Sequence, residues 1–438
     1  MTFFKPKILT SFKGYKAKNY LSDVVAGIIV AIIALPLSIA LAIASGATPE
    51  TGLFTAIIAG FAVSLLGGSK VNITGPTAAF ATIVAGIIAT NGMDGLLIAT
   101  IMAGIILVIM GLCRVGSLIK FIPHSITVGF TGGIAVTLVI GQIKDFLGLT
   151  YPAGTNAIET IDKLKLIFEN ITTFNPWAFG IGMLGLAILI AWPFILKKVP
   201  GSLIAVIVSA LVCLIPIINV NTIGSLYTIS SSLPTPRLPA FSWEKALAVL
   251  PNAFTIALLA GIESLLSCVV SDNMIGDKHS SNTELIALGT GNILVGFFGG
   301  IPATGAIART AANVKNGGRS PLSGITHALV LLLVLTLLMP LASYIPMPII
   351  SAILFIVAYN MSEWRKFVAI IKSKKWNDIL VLVTTFALTV IFDLVKAIAV
   401  GLVIHYAIVL VKFIIAKHKA KKDNDNNDNE QTKNSDEE

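Results

Sequence analysis

Two short segments of this sequence carry small and hydroxyl residues where an uninterrupted membrane-spanning helix would carry leucine or valine. The first runs N-I-T-G-P-T-A-A-F from Asn72 to Phe80, and the second runs G-G-I-P-A-T-G-A-I-A-R-T from Gly299 to Thr310. A helix that begins inside the membrane leaves its first amide N–H groups without partners, and such groups bind anions. Paired Gly/Pro interruptions at corresponding positions of two halves are typical of substrate sites in transporters with inverted repeats. The two segments therefore predict an anion site.

The predicted donors to the anion are backbone N–H groups at the start of two half-helices, which residues 75–79 and 304–308 would open. The two helix N-termini would face each other, so that their dipoles add at the gap between them. Small side chains would let an anion approach the backbone closely, and the hydroxyls of Thr77 and Thr304 would add further donors. The alternative is that these small residues only allow close helix packing. The predicted N–H donors are those of Thr77, Ala78, Ala79, Gly305, Ala306 and Ile307.

Two ionisable residues lie inside predicted membrane segments, where an unpaired charge is costly. Arg309, near the start of the second half-helix, would add positive potential at the anion site; a structural ion pair or a snorkelling arginine is the alternative. Glu263, near the centre of a long apolar span, is predicted to hold a coupling ion. It would act as a proton carrier, or it would bind Na⁺ together with Ser267 and Gly305. A carboxylate satisfied by Arg309, without a coupling role, is the alternative.

Pro36 interrupts the first apolar segment, where a proline can expose backbone carbonyl groups to a cavity. The anion site is predicted to be lined by three residues that follow Pro36 in this segment, Leu37, Ser38 and Leu41. The alternative is that Pro36 only produces a kink in the helix. The sequence contains no Walker A, G-x-S-x-G or H-E-x-x-H pattern. It therefore predicts no enzymatic activity, no bound metal apart from Na⁺ in the alternative above, and no cofactor.

The composition indicates an integral membrane protein. The 438 residues are 55% apolar and only 12% charged, and the mean hydropathy is +0.89. Apolar runs of about 20 residues, long enough to cross a bilayer, recur throughout. Segments three and ten are expected to begin at mid-membrane, each after a short extended stretch, Val71–Thr74 and Phe298–Pro302. The fourteen predicted segments lie near residues 23–45, 52–68, 75–91, 94–112, 123–144, 176–196, 200–218, 246–272, 283–298, 303–316, 320–344, 348–361, 376–392 and 394–416.

The net charge of +9 does not indicate nucleic-acid binding, because the basic residues lie at the termini and in short turns rather than on one face. With the N-terminus in the cytoplasm, six of the 31 Lys and Arg residues fall on the outer side, which leaves 25 on the cytoplasmic side. This asymmetry agrees with the positive-inside rule. We therefore predict a multi-pass protein of the cytoplasmic (plasma) membrane with both termini in the cytoplasm.

The same segments predict how the chain is divided. A linker rich in Ser, Pro and Thr separates two halves of seven segments each, and the polar tail has the composition of a disordered region. The predicted parts are a cytoplasmic N-terminal segment at 1–20, a first repeat at 21–218, an extracytoplasmic linker at 219–245, a second repeat at 246–416 and a disordered polar cytoplasmic tail at 417–438.

These residues resemble the SulP family of anion transporters over nearly all of Leu21–Val411. The resemblance is carried by D-V-V-A-G-I-I-V-A-I-I-A-L-P-L-S-I-A-L-A, L-L-G-G-S-K-V-N-I-T-G-P-T-A-A-F, G-S-L-I-K-F-I-P-H-S-I-T-V-G-F-T-G-G-I-A and G-I-E-S-L-L-S-C-V-V-S-D. The most specific stretch is P-A-T-G-A-I-A-R-T-A-A-N-V-K-N-G-G-R-S-P-L-S-G-I-T-H-A, from Pro302 to Ala328.

The resemblance implies an all-α polytopic fold of fourteen segments in a seven-plus-seven inverted repeat. A core domain would contain segments 1–4 and 8–11, a gate domain segments 5–7 and 12–14, and the anion site would lie between segments one, three, eight and ten. Many members continue into a soluble STAS domain, which the short polar tail predicts to be absent here. Sodium-coupled bicarbonate members have Asp and Thr at the positions of Glu263 and Ser267, and a hydroxyl residue at Ile307, which favours protons over Na⁺ here.

The resemblance implies secondary active transport of a small inorganic anion, sulfate or bicarbonate, by alternating access with H⁺ or Na⁺ coupling. The residues leave three alternatives open: an uncoupled anion channel, a nucleobase permease of the same fold class, and a membrane scaffold without transport. Segment ten shows no polar or acidic set suited to a purine or pyrimidine edge. The predicted partners are the anion and the lipid bilayer, without nucleic acid, and a homodimer is left open.

Overall fold

The structure is a computed structural model that describes residues 4–411 except 13–14, 117–122, 153–154, 156, 158, 197–198, 393–396 and 398, together with residue 414. The predicted polar tail at 417–438 lies outside the described residues. The helices of the described part are α1 (Ile8–Ser11), α2 (Ala17–Ala44), α3 (Pro49–Leu66), α4 (Ala81–Leu112), α5 (His124–Leu147), α6 (Thr160–Glu169), α7 (Pro176–Ile195), α8 (Gly201–Val212), α9 (Ile223–Leu226), α10 (Trp243–Ile275), α11 (Ser281–Phe297), α12 (Ile307–Lys315), α13 (Leu322–Leu338), α14 (Met347–Met361), α15 (Trp364–Lys372), α16 (Trp376–Ile391) and α17 (Ala399–Val411).

The predicted all-α fold is confirmed, and each of the fourteen predicted segments coincides with helix. The segments correspond in order to α2, α3, two parts of α4, α5, α7, α8, α10, α11, α12, α13, α14, α16 and α17. Eight helical stretches are long and apolar enough to cross a bilayer, and α8, α16 and α17 are shorter apolar helices. The third and fourth segments form one long helix that is broken at Gly92, whose φ of 69° and ψ of −174° are not helical.

A short strand precedes each half-helix, as expected, but both strands lie closer to the half-helices than the predicted stretches Val71–Thr74 and Phe298–Pro302. The strands are β1 (Thr74–Gly75) and β2 (Thr304–Gly305), and they pair antiparallel, with Thr74 opposite Gly305 and Gly75 opposite Thr304. The predicted second stretch, Phe298–Pro302, therefore ends two residues before β2 begins. One further backbone hydrogen bond follows this pairing: the Ala306 N–H donates to the Ile73 carbonyl oxygen at 2.9 Å.

The helices pack as two groups that match the expected core and gate. In the first group α4 packs on α10 and α11, and α13 packs on α2 and α3. In the second group α5 packs on α14 and α16, and α7 packs on α8 and α14. Helices α4 and α11 approach closely at Gly104 and Gly289, where a Cβ on either glycine would come within 2.6 Å of the other's carbonyl oxygen. Glycine is required there because two helix backbones touch.

Polar contacts at one end of the first group fix the loops that lead into the site. The Gly67 carbonyl oxygen accepts from the Lys7 N–H, and that of Gly68 accepts from the Ser280 N–H, each at 2.9 Å. The side chains of Lys7 and Lys70 pair with Asp277 at 3.3 and 3.0 Å. Burial raises the pKa of Asp277, but the backbone N–H of Lys278 and these two ammonium groups together hold it below its usual value.

The predicted linker at 219–245 is shorter in the structure, because α10 already begins at Trp243. The Ser242 hydroxyl caps this helix by accepting from the Lys245 N–H at 3.1 Å. Within the linker, Arg237 donates its backbone N–H to the Phe297 carbonyl oxygen at 2.7 Å. The long connection therefore returns to the end of α11, beside the loop that leads into β2.

Candidate anion-binding site

The β1–β2 pair brings the two glycine-rich segments together at the start of two half-helices. The first begins as a 3-10 turn at Ala78–Phe80 and continues into α4, while Thr77 remains extended, with φ −130° and ψ 159°. The second begins as α12 at Ile307, after an extended Ala306. Gly75, Thr304 and Gly305 were expected to open helices, and the structure places them in strands instead. Each strand is only two residues long, so the half-helices begin shortly after the strands end, at Ala78 and at Ile307.

This placement changes which N–H groups are free to bind an anion. The first intrahelical bond of α12 runs from the Thr310 N–H to the Ala306 carbonyl oxygen at 2.9 Å. The amides that begin this helix without intrahelical partners are therefore those of Ile307, Ala308 and Arg309. The prediction for Ala306 was wrong, since its N–H already bonds Ile73. On the other half-helix the first bond is Phe80 N–H to Thr77, which leaves Ala78 and Ala79 in the predicted first turn.

Arg309 lies in the first turn of α12 and is 2% exposed. Its Nη2 donates to the Pro76 carbonyl oxygen at 2.8 Å, so the guanidinium reaches across to the opposite glycine-rich segment. Its Nε and Nη1 are buried without a hydrogen-bond partner in the described part of the chain. No ion pair among the described residues includes Arg309. A buried cation with two unused donors is suited to an anionic ligand.

Glu263 lies on α10, is half-buried, and accepts from the Thr77 hydroxyl at 3.1 Å. The structure therefore brings Glu263 beside the start of the first half-helix. The alternative in which Arg309 satisfies this carboxylate has no support, because the described ion pairs do not join them. A carboxylate with one hydroxyl donor retains acceptor sites for a proton or a cation.

The other predicted hydroxyl donor is occupied. Thr304 is fully buried, and its hydroxyl donates to the Ala260 carbonyl oxygen of α10 at 2.8 Å. Its proton is therefore not available to an anion, and the prediction for this side chain was wrong. Thr304 instead fixes β2 against the helix that carries Glu263.

The predicted apolar lining on α2 belongs to the packing around the first half-helix. Leu41 and Ala78 are members of one buried apolar cluster, and Leu37 packs against that cluster. Ser38 is fully buried, and its hydroxyl has no hydrogen-bond partner among the described residues. On the opposite half-helix Ile307 is 40% exposed, and Ala308 beside it is exposed as well.

A buried polar network behind the half-helices was not anticipated, apart from Ser267. The Asn72 Oδ1 accepts from Ser267 at 2.7 Å and from Thr310 at 3.0 Å, and Ser267 and Thr310 lie 3.0 Å apart. Thr310 also accepts from the Ile73 N–H at 3.0 Å. The hydroxyl of Ser267 thus binds the two glycine-rich segments to α10. Asn72 begins the first of the two segments that the sequence singled out and Thr310 ends the second, and this position was the signal available in the sequence.

Glu284 completes this network from α11. It is fully buried, and its Oε2 accepts from the N–H groups of Gly68 and Ser69 at 2.8 and 3.1 Å. Its Oε1 accepts from Asn72 Nδ2 at 2.6 Å. The sequence placed Glu284 at the edge of a predicted segment, so it was not recognised as a membrane-buried carboxylate.

Replacing Glu284 with glutamine is expected to destabilise the folded protein, because the role of Glu284 is structural. A glutamine has one acceptor oxygen, so its NH₂ group must face either the two backbone donors or the Asn72 amide. Each buried donor left unpaired costs about 1–3 kcal/mol. We expect the thermal unfolding temperature in detergent to fall by several degrees, whereas Thr290→Val, which loses only a bond to the Ile286 carbonyl oxygen of its own helix, should have a smaller effect. Equal melting temperatures for Glu284→Gln and the unsubstituted protein would contradict this role.

A polytopic helical protein in which two paired strands place two half-helix starts beside a buried arginine has the architecture of a membrane transporter with discontinuous helices. The sequence profile of the Sulfate permease family matches residues 20–385. The chain therefore belongs to the Sulfate permease family, as its resemblance to SulP proteins implied.

Named relatives agree with this family. The chain is 46% identical over 397 residues to YvdB of Bacillus subtilis, named as a candidate sulfate transporter, with 90% of this chain and 74% of that protein covered. It is 32% identical over 395 residues to the bicarbonate transporter BicA of Picosynechococcus sp., with 88% of this chain and 69% of that protein covered. These relatives are named as transporters of small inorganic anions and not as enzymes.

Solved structures show the same fold. The transmembrane domain of a cyanobacterial bicarbonate transporter BicA matches with a TM-score of 0.80 and 29% identity, over 88% of this chain and 98% of that chain. SLC26A9 matches with a TM-score of 0.82 and 20% identity, over 93% of this chain and 67% of that chain, which is a likeness of fold alone. The protein is thus a multi-pass membrane protein of an anion transporter family.

Proposed function

We propose that this protein is a secondary active transporter of sulfate or bicarbonate, and that the anion binds between the two half-helix starts. The observation that carries this proposal is the buried guanidinium of Arg309, which bridges to Pro76 and keeps two donors unused. Two helix N-termini and one arginine form a field that favours a small anion over a cation. The names of YvdB and BicA make sulfate and bicarbonate the two candidates, and the higher identity to YvdB makes sulfate the first to test.

The transport cycle in this proposal is alternating access. The helix group that holds the half-helices, the core, moves against the gate group of α5, α7, α8, α14, α16 and α17, and carries the anion across the bilayer. The predicted division into two seven-segment repeats is part of this proposal. The protein would lie in the cytoplasmic membrane with both termini in the cytoplasm, as the distribution of Lys and Arg predicts. This transport cycle does not require a homodimer.

Glu263 is the proposed coupling group, with H⁺ or Na⁺ as the coupling ion. The hydrogen bond from Thr77 to Glu263 supports this role, because the charge state of Glu263 would affect an anion bound at the start of the first half-helix. The engagement of Ser267 with Asn72 and Thr310 supports proton coupling, because a sodium ion at Glu263 and Ser267 would compete with those bonds. When H⁺ or Na⁺ neutralises the Glu263 carboxylate, the electrostatic repulsion between this carboxylate and the nearby anion is lowered.

The test is uptake of radiolabelled sulfate into proteoliposomes, with H⁺ and Na⁺ gradients imposed separately. We expect one gradient to drive sulfate accumulation in the unsubstituted protein. Gradient-independent anion currents would indicate a channel, saturating uptake of uracil or xanthine would indicate a nucleobase permease, and uptake of bicarbonate without sulfate would identify the other candidate. A lack of flux and of anion binding would favour the scaffold.

Replacing Glu263 with glutamine is expected to abolish the dependence of sulfate uptake on the driving gradient. Glutamine resembles a protonated carboxyl in shape and charge, so the site would remain in one charge state. The ratio of uptake with and without the gradient, measured side by side, should fall to about one. Glu244→Gln, an exposed change in the first turn of the same helix, is the matched control and should keep the gradient dependence. Retention of full coupling by Glu263→Gln would exclude Glu263 as the coupling group.

A further inference from the structure

Helix α15 (Trp364–Lys372) was not expected from the sequence. Residues with a left-handed backbone conformation separate it from α14 and from α16. Glu363, directly before it, has φ 45° and ψ 32°, and Lys374, two residues after its end, has φ 56°. Left-handed backbone is unusual for residues other than glycine and redirects the chain. The chain therefore leaves the axis of α14 at Glu363 and enters α16 only after a second bend. Helix α15 is therefore a separate helix between α14 and α16.

One edge of α15 is fixed to the protein. The rings of Phe367 and Phe386, on α16, lie 5.3 Å apart in an edge-on arrangement. Both rings cover Gly132 of α5, where an added Cβ would lie 3.4 Å from Phe386 and 3.7 Å from Phe367. The helix is thus anchored to the gate group through Phe367, and no residue of α15 is fully buried.

Three of the other large apolar side chains of α15 are exposed, whereas Ile370 is half-buried. Trp364 is 46% exposed, and Val368 and Ile371 are likewise exposed. At about 100° per residue, these three side chains and Phe367 occupy one continuous apolar face of the helix. Arg365 and Lys372 flank this face, about 60° and about 40° beyond Val368, and Lys366 lies on the opposite side of the helix.

The charge of this surface is strongly positive. From Glu363 to Trp376 the chain carries five basic residues and one acidic residue, which gives a net charge of +4. The acidic residue, Glu363, is already paired with Lys366 at 2.7 Å. The basic residues are Arg365, Lys366, Lys372, Lys374 and Lys375. A helix with an exposed apolar face, a tryptophan and basic residues along its flank and back has the composition of a helix that lies in the bilayer interface.

We propose that α15 and the turn that follows it form a binding surface for anionic phospholipids, with the apolar face among the acyl chains and the basic residues at the headgroup phosphates. Charge complementarity selects anionic lipid over neutral lipid, since each basic residue near the surface adds to the attraction. Because α15 is anchored on α5 and α16, the bound lipids hold the gate group at the membrane surface. The inference requires only that the protein lies in a membrane, and it does not depend on the proposed substrate or coupling ion.

The test uses the fluorescence of Trp364 in a full-length protein in which Trp177, Trp192, Trp243 and Trp376 are replaced by phenylalanine. The protein is reconstituted into phosphatidylcholine vesicles that contain 20% of a lipid brominated in the acyl chains, either phosphatidylglycerol or phosphatidylcholine. We expect brominated phosphatidylglycerol to quench Trp364 more strongly, because it is enriched next to α15. In the variant Arg365→Gln with Lys372→Gln, the preference for phosphatidylglycerol is expected to fall roughly tenfold.

The matched control is Lys165→Gln with Lys245→Gln, which removes the same charge from the loop and helix on the predicted outer side. This control should keep the preference of Trp364 for brominated phosphatidylglycerol. Equal quenching by the two lipids, no quenching by either, or an unchanged preference in the α15 variant would each overturn the proposal. If the four phenylalanine replacements prevent folding, the same comparison is made as the difference between the unsubstituted protein and Trp364→Phe.

Sulfate uptake measured on the same vesicles separates this inference from the proposed function. A protein that does not transport sulfate but shows preferential quenching would retain the lipid site and lose the proposed substrate. A protein that transports sulfate but shows equal quenching would retain the transport proposal and lose the lipid site.

Discussion

Replacing Arg309 with alanine is expected to reduce sulfate uptake at least about tenfold. The guanidinium is the buried cation that links the two half-helix starts, and a hydrogen bond to a charged group contributes about 1.5–3 kcal/mol. Loss of one such bond to the anion corresponds to roughly 10- to 150-fold in affinity. Arg309→Lys retains the charge but not the planar set of donors, so we expect it to recover only part of the uptake.

The stability of the Arg309 variant separates a binding role from a structural one. A buried cation without an ionic partner opposes folding, so we expect the apparent melting temperature of Arg309→Ala to change much less than its uptake. Lys315→Ala, an exposed cation at the end of the same helix, is the control and should leave uptake unchanged. Undiminished uptake with unchanged sulfate affinity in Arg309→Ala would remove Arg309 from the site.

Replacing Gly75 with alanine is expected to reduce sulfate uptake by a similar factor, through Arg309. A Cβ on Gly75 would lie 2.4 Å from Arg309 Nη1, whereas its next contacts, with Ala56, are at an ordinary 3.6 Å. The conflict is therefore with the end of a flexible side chain, which moves away and leaves the backbone in place. Gly86→Ala is the matched control, because an added Cβ there meets nothing within 4 Å.

A double-mutant cycle makes this prediction specific. If Gly75→Ala acts only by displacing the guanidinium, it has no further effect in a protein that already carries Arg309→Ala, and the two changes are strongly non-additive. Uptake by the double variant should equal uptake by Arg309→Ala alone. An additional loss in the double variant, or normal uptake by Gly75→Ala, would show that Gly75 acts in another way.

Local sequence was sufficient to locate the membrane segments and the two half-helix regions. Apolar runs of the length of a bilayer form helices because backbone groups in lipid must be paired within the segment. The glycine and proline residues between Asn72 and Phe80 and between Gly299 and Thr310 mark interruptions for the same reason. The break at Gly92 within α4 was found as a gap between two segments, since it coincides with polar residues.

The pairing of side chains across the molecule could not be read from the sequence, because it depends on which helices become neighbours. Ala306 and Thr304 were expected to be free donors, and both are occupied by partners far away in the chain, Ile73 and Ala260. Glu284 and Asn72, 212 residues apart, form one bond of the buried network. Arg309 could be identified from its charge in an apolar segment, but its contact with Pro76 and its unused donors required the folded protein. Composition thus defines what must be buried, and packing defines which buried groups remain free to bind a ligand.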